Sequence, residues 1–193
     1  MIESFFSATR KIDPQPQPIS TSDSIILLSG PRSCGKTSLL FQFALNSVLE
    51  MSSSSNDYVV FICSRSRLEN NPLISPRYVD DDEGMKKYFA AFHLHEMSPK
   101  AVIVDDFGDF FDDSEKLDSG NSCKLLISDT YQGDTPRSLF IYKRWASSIF
   151  TIKGNGQGSY LLSSSSSSEL KKVAKYSIAL QYLVLEEITV EDN

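Results

Sequence analysis

Little in this chain points to a metal or disulfide scaffold. Its three cysteines, Cys34, Cys63 and Cys123, are far apart and show no C-x-x-C spacing. Neither a disulfide framework nor a zinc site is therefore indicated, and a reducing compartment is the expectation. Two histidines, His93 and His95, form an H-x-H pair without acids or cysteines at ligand spacing, so they give no metal signature. Positive charge is also short: 19 Lys and Arg stand against 25 Asp and Glu, a formal net charge of −6. A stand-alone polyanion binder needs the opposite sign, so any nucleic acid must be held locally or through a partner. No apolar run approaches the roughly 18 residues of a membrane span, and MIESFFSATRKIDPQPQPIS lacks the apolar stretch of a secretory signal. A soluble intracellular protein is expected. No internal repeat is seen, and 193 residues with 40% hydrophobic content suit one domain with a real core.

Residues 1 to 22 are polar and spaced by Pro14, Pro16 and Pro18, which disfavours helix and central strand and reads as an arm. Phe5 and Phe6 are its sizeable apolar anchors, available to a partner or simply packed. Residues 23 to 193 read as one domain. SIILLS, Ser24 to Ser29, is a short apolar run without alternation, as a strand buried on both faces should be. After it, GKTSLLFQFALNSVLEM carries Leu39, Leu40, Phe43, Ala44 and Val48 at helical spacing, a core-facing helix. Tyr58 to Cys63 is a second strand, residues 64 to 83 read as irregular, and Gly84 to Leu94 as a helix. Ala101 to Asp105 and Cys123 to Ser128 are the third and fourth strands. This alternation predicts an α/β domain with a mostly parallel sheet. Further on, a helix around Pro136 to Trp145 precedes SSIFTIK and SYLL, joined at Gly154, Gly156 and Gly158 as a C-terminal β-hairpin. The serines from Ser163 to Ser168 read as loop, Lys171, Lys172 and Lys175 as a solvated basic piece, and KYSIALQYLVLEEI as one last strand.

The strongest signal is Gly30-Pro31-Arg32-Ser33-Cys34-Gly35-Lys36-Thr37, which fits G-x-x-x-x-G-K-[ST] at every fixed position with a strand before it and a helix after it. In such a loop, running on to Ser38, glycines let backbone amides converge on phosphates, and the helix N-terminus adds unsatisfied N–H groups. Lys36 would reach the β and γ phosphates and act in catalysis. Thr37 would give its hydroxyl to Mg²⁺, which takes oxygen ligands and keeps some water. The companion carboxylate belongs at the end of a neighbouring buried strand, and AVIVDD offers Asp105. DDFG, Asp105 to Gly108, also matches short GTPase and kinase patterns, but no N/T-K-x-D run reads guanine and no H-R-D loop is present. A small nucleotide kinase would need a lid rich in arginine, and the arginines here are scattered.

From about residue 22 to 162 the chain resembles the RecA-type recombinase superfamily: SIILLSGPRSCGKTSLLFQFA, a strand, AVIVDD, a strand near LLISD, then the SIFTIKG to SYLL hairpin. It is most similar to the short recombinase paralogues of Shu-type complexes, which are associated with SWIM-domain proteins. The resemblance implies a RecA-like phosphate-loop NTPase core and a nuclear subunit that binds ATP and Mg²⁺. It further implies DNA-stimulated hydrolysis in support of recombinase filaments, within a hetero-oligomer with a SWIM-domain partner.

The chain departs from that family at the acid expected after the second strand, where Ser64, Arg65, Ser66 and Arg67 stand and Glu69 comes late. Since a misplacement of about 1 Å can cost about a hundredfold in rate, hydrolysis then needs an acid from elsewhere, whether another subunit's or one of this chain's own. Either such an acid, Asp106 in this chain, serves as base, or the protein is a non-hydrolysing scaffold stabilised by nucleotide. Phe107 to Ser122 leaves room for a trimmed crossover helix only. Single-stranded DNA would meet Arg137, Lys143 and Arg144, with Tyr142 and Trp145 for stacking, where recombinases carry their DNA loops. A core-facing helix using Phe140, Ile141 and Trp145 explains the same cluster.

Overall fold

The structure is a computed structural model that describes residues 1–6, 25–49, 58–63, 77–78, 82–91, 99–110, 123–131, 139–156, 158–165, 171–179 and 182–191. The strand leading into the Gly30 to Thr37 loop, β1 (Ile25–Gly30), is followed by α1 (Lys36–Leu49). Then come β2 (Val59–Cys63), β3 (Arg77–Tyr78), α2 (Asp82–Ala90), β4 (Ala101–Val104) and β5 (Lys124–Thr130). The short α3 (Leu139–Tyr142) precedes β6 (Ser148–Gly154), β7 (Ser159–Ser165), β8 (Lys171–Ala179) and β9 (Tyr182–Glu191). Two 3₁₀ turns, Ile2–Phe5 and Phe107–Phe110, complete the described elements.

The fold is α/β around one nine-stranded mixed sheet, ordered β3-β2-β4-β5-β1-β6-β7-β8-β9. Strands β3 to β6 in that order are parallel, and the last three join by antiparallel pairing. Parallel neighbours require crossover connections, whereas antiparallel ones close through short turns. The parallel strands carry apolar residues on both faces. On β1, Ile26 and Leu28 face one core with Leu39, Leu40 and Phe43 of α1, while Leu27 faces a second with Val60, Val102, Ile127 and Tyr142. This is the period of two of a strand covered on both sides.

Several details differ from the sequence reading. KYSIALQYLVLEEI is two antiparallel strands rather than one, with Tyr176 paired to Leu185 and Ala179 to Tyr182. The expected terminal hairpin is thus the first of three antiparallel pairings. The strand β8 includes Lys171, Lys172 and Lys175, and β7 takes in Ser163 to Ser165, so neither basic piece nor serine run is wholly loop. Pairing along β8 overrides a locally polar composition, because a strand needs only one face covered. Of the helix expected around Pro136 to Trp145, Leu139–Tyr142 is helical and residues 143 to 145 form a turn, while residues 136 to 138 lie outside the described residues. Val48 is 45% exposed, and Asn46 takes the buried position instead. Residues 111 to 122, His93, His95, Ser64 to Arg67 and Arg137 lie outside the described residues.

The first six residues pack on the chain's own core: Ile2, Phe5 and Phe6 are buried, with Phe5 against Phe43 and Phe150 and Phe6 against Tyr176. Asn46 fastens them, its Nδ2 donating to the carbonyls of Ser4 at 2.9 Å and Phe6 at 2.8 Å. Of the two uses the sequence allows for Phe5 and Phe6, this is the packed one.

Candidate functional site

The C-terminal ends of β1, β4 and β5 meet at the N-terminus of α1. Strand β1 stops at Gly30, residues 31 to 35 turn, and α1 opens at Lys36, its first ladder bond running from the Leu39 amide to the Gly35 carbonyl at 2.9 Å. Two glycines are required. A Cβ at Gly30 would lie 2.9 Å from both Cys34 Sγ and Ile152 Cβ, and Gly35 has φ +82°, where an L side chain is strained. Ser33 also adopts φ 59°, which costs a non-glycine residue about 1 kcal/mol.

Lys36 is buried at 6% exposure, and its Nζ donates to the carbonyls of Gly30 at 3.2 Å and Pro31 at 2.9 Å. The ammonium therefore sits within the loop, hydrogen-bonded to neutral carbonyl oxygens and close enough to Asp129 for its charge to act on that carboxyl. Thr37 Oγ1 donates to Asp105 Oδ2 at 2.7 Å, and Asp105 Oδ1 accepts from Ser128 Oγ at 2.7 Å. Ser128 Oγ in turn accepts the Asp106 amide at 2.8 Å, and Thr130 Oγ1 donates to Asp106 Oδ1. Asp106 has φ 50°, an αL conformation that Asp tolerates better than most residues. All the residues read from the sequence as loop, lysine, threonine and paired acids are thus assembled. Arg32, Ser33 and Ser38 are exposed, and Pro31 is half-buried.

Sequence reasoning missed the contribution of β5. Its end brings Ser128, Asp129 and Thr130 beside the acids of β4, because β5 lies between β4 and β1. The signal was present in LLISDT, an apolar run ending on an acid in the same way as AVIVDD. Burial pushes the Asp129 carboxyl above its ordinary value, the charge of Asp106 adds to this, and a hydrogen bond with Tyr142 opposes it. Tyr142 is pushed upward by burial and by Asp129, so it remains a neutral donor. Burial also raises the Cys34 thiol despite the nearby Lys36 charge, which keeps this loop cysteine protonated and poorly nucleophilic.

The donor set suits magnesium. A threonine hydroxyl and a carboxylate are hard oxygen donors, and Mg²⁺ takes one or two such protein ligands with phosphate and water. No cluster of three or more His, Cys, Asp or Glu is arranged for a metal among the described residues, and this ion does not require one.

Of the predicted DNA residues, Lys143 and Arg144 are exposed on the turn ending α3. Phe140 is 71% and Trp145 38% exposed, so the core-facing alternative fails for both; Tyr142 is the residue that turns inward. No helix among the described residues is long and apolar enough to cross a membrane. No protein-family model matches this chain, and no curated protein matches it.

Proposed function

We propose that this chain binds a nucleoside triphosphate with Mg²⁺, ATP in the reading its resemblance suggests, within a RecA-like core. The supporting observation is the buried Lys36 ammonium beside the Thr37 to Asp105 hydrogen bond at the mouth of a strand-loop-helix turn. Burying a full charge against two neutral carbonyls is costly, and a polyphosphate offers the same ammonium charge-assisted partners. Thr37 and Asp105 would hold the magnesium, which when bound neutralises charge on the phosphates. The backbone amides of residues 32 to 38 would hold the phosphates themselves, Pro31 having no N–H to give.

Asp106 is the acid available for hydrolysis, since it sits next to Asp105 and is oriented by Thr130. The role in nuclear homologous-recombination repair, with a SWIM-domain partner and a recombinase, rests on the sequence resemblance. Exposed Lys143 and Arg144 beside Phe140 and Trp145 are compatible with contact to single-stranded DNA.

The deciding experiment is equilibrium binding of ATP with Mg²⁺ to the wild type and Lys36→Ala, followed by turnover with and without single-stranded DNA. Lys36→Ala should weaken binding about a hundredfold, as expected for loss of several charge-assisted bonds. DNA-stimulated turnover abolished by Asp106→Asn supports the repair ATPase. Binding without turnover supports the scaffold reading, and no binding by the wild type rejects the proposal.

A further inference from the structure

The phosphate loop is gripped from one side by the antiparallel strands. Tyr176 of β8, fully buried, donates its hydroxyl to the Cys34 carbonyl at 2.6 Å. Tyr160 of β7, its register partner, donates to the Ser33 carbonyl at 3.1 Å. The two rings stack with centroids 5.5 Å apart. A Cβ at Gly35 would meet Ile178 Cδ1 at 3.1 Å and Leu183 Cδ2 at 3.2 Å, so β8 and β9 also back the loop at its next residue.

The consequence follows from the planar trans peptide, in which the C=O of one residue and the N–H of the next point in opposite directions. A Ser33 carbonyl tied toward β7 turns the Cys34 amide away from that sheet. A Cys34 carbonyl tied toward β8 does the same for the Gly35 amide. These successive amides lie at the centre of the loop, where Ser33 and Gly35 both hold positive φ. Successive N–H groups in such a conformation form a concavity for anions. We infer that Tyr160 and Tyr176 are positioning residues for phosphate binding: by fixing two loop carbonyls on the sheet side, they aim the Cys34 and Gly35 amides at the polyphosphate.

The role suits these side chains. Each tyrosine hydroxyl reaches the loop from a strand paired on both sides, which is a rigid mount. Burial raises Tyr176 above the ordinary phenol value, so its proton stays in place as the donor. A loop arranged in advance loses less freedom when the anion arrives, and its affinity gains accordingly.

This inference rests on the triphosphate-binding reading, and the test separates the two. Titration calorimetry of the full chain would use Mg·ATP and, as a probe without base or sugar, inorganic tripolyphosphate with Mg²⁺. The amide resonances of Cys34 and Gly35 would be followed in parallel. Tyr176→Phe, which deletes the donor and keeps the ring, should weaken both probes about fivefold, and Tyr160→Phe about twofold, as expected for neutral hydrogen bonds. The Cys34 and Gly35 amides should lose part of their ligand-induced shift. A hydroxyl that only stabilises the fold would lower the melting temperature and leave the affinity of the folded molecule unchanged. Wild-type affinity for tripolyphosphate in both variants would therefore overturn the inference. If Tyr176→Phe does not fold, the more exposed Tyr160→Phe decides by the same measure. If the wild type binds neither probe, the triphosphate reading falls, and the aiming role falls with it.

Discussion

Thr37 and Asp105, 68 positions apart in the chain, share a hydrogen bond of 2.7 Å between a helix N-terminus and a strand C-terminus. The bond exists because β4 stands two strands from β1 in a parallel sheet, so that both chains end at the same edge of the molecule. It brings together the two oxygens that a magnesium ion would need beside a triphosphate.

Thr37→Ala is expected to reduce ATP affinity about tenfold when magnesium is present and by no more than about twofold when it is chelated. Calorimetric titration at a series of Mg²⁺ concentrations checks this. An equal loss with and without the ion would assign Thr37 to phosphate or structure rather than to magnesium.

Asn46 holds the N-terminal turn through two hydrogen bonds, and its Oδ1 accepts from Gln42 Nε2 at 2.9 Å. Asn46→Ala would leave the Ser4 and Phe6 carbonyls without this donor and should cost about 2–3 kcal/mol. Asn46→Asp keeps the shape but turns the donor into an acceptor, and should cost at least as much. Denaturant midpoints measure both, and early cleavage within the first six residues should accompany them.

Glu3 supplies a pH dependence. Burial alone would raise its carboxyl, but hydrogen bonds from Lys172 and from the N-terminal ammonium, each 2.9 Å, bring it from 4.5 to about 2. A carboxyl depressed in the folded state favours folding above its unfolded value, and that contribution disappears as pH falls from 4.5 toward 2. Because the side chain is half exposed, solvent screening limits the gain to about 0.5 kcal/mol. Thermal unfolding should therefore show the wild type above Glu3→Gln at pH 6, with the gap closing by pH 2. A gap constant over that range would mean that the charge of Glu3 contributes nothing.

The strand-loop-helix turn from Gly30 to Thr37 was legible in the sequence because its residues are contiguous. The residues from Gly30 to Thr37 bring glycine freedom, lysine charge and threonine hydroxyl within one turn, and backbone geometry alone fixes their relation. Asp105 and the parallel core strands were legible for a similar reason, since a run buried on both faces must be apolar and its first polar residue marks where it emerges. The exposure of Phe140 and Trp145 was not legible. Trp145 lies past the helix on a turn, where helical periodicity no longer assigns a face, and the inward packing of Tyr142 with its hydrogen bond to Asp129 made the choice.

The largest divergence lies at the C-terminal end. Local composition read Lys171 to Lys175 as loop and the following residues as a single strand, while the structure folds them into a hairpin against β7. Strand pairing depends on what lies alongside, and that partner is set by chain topology rather than by nearby residues. The tyrosine contacts to the loop span 127 and 142 positions, and no motif announces them. By itself the sequence determined the α/β class and the turn between a buried strand and a helix that carries Lys36 and Thr37, since both follow from local period and spacing. Only the tertiary structure decided that β5 would bring Asp129 and Thr130 to the acids and that β7 and β8 would hold the loop carbonyls. Those juxtapositions exist only once the strands have paired in their final order.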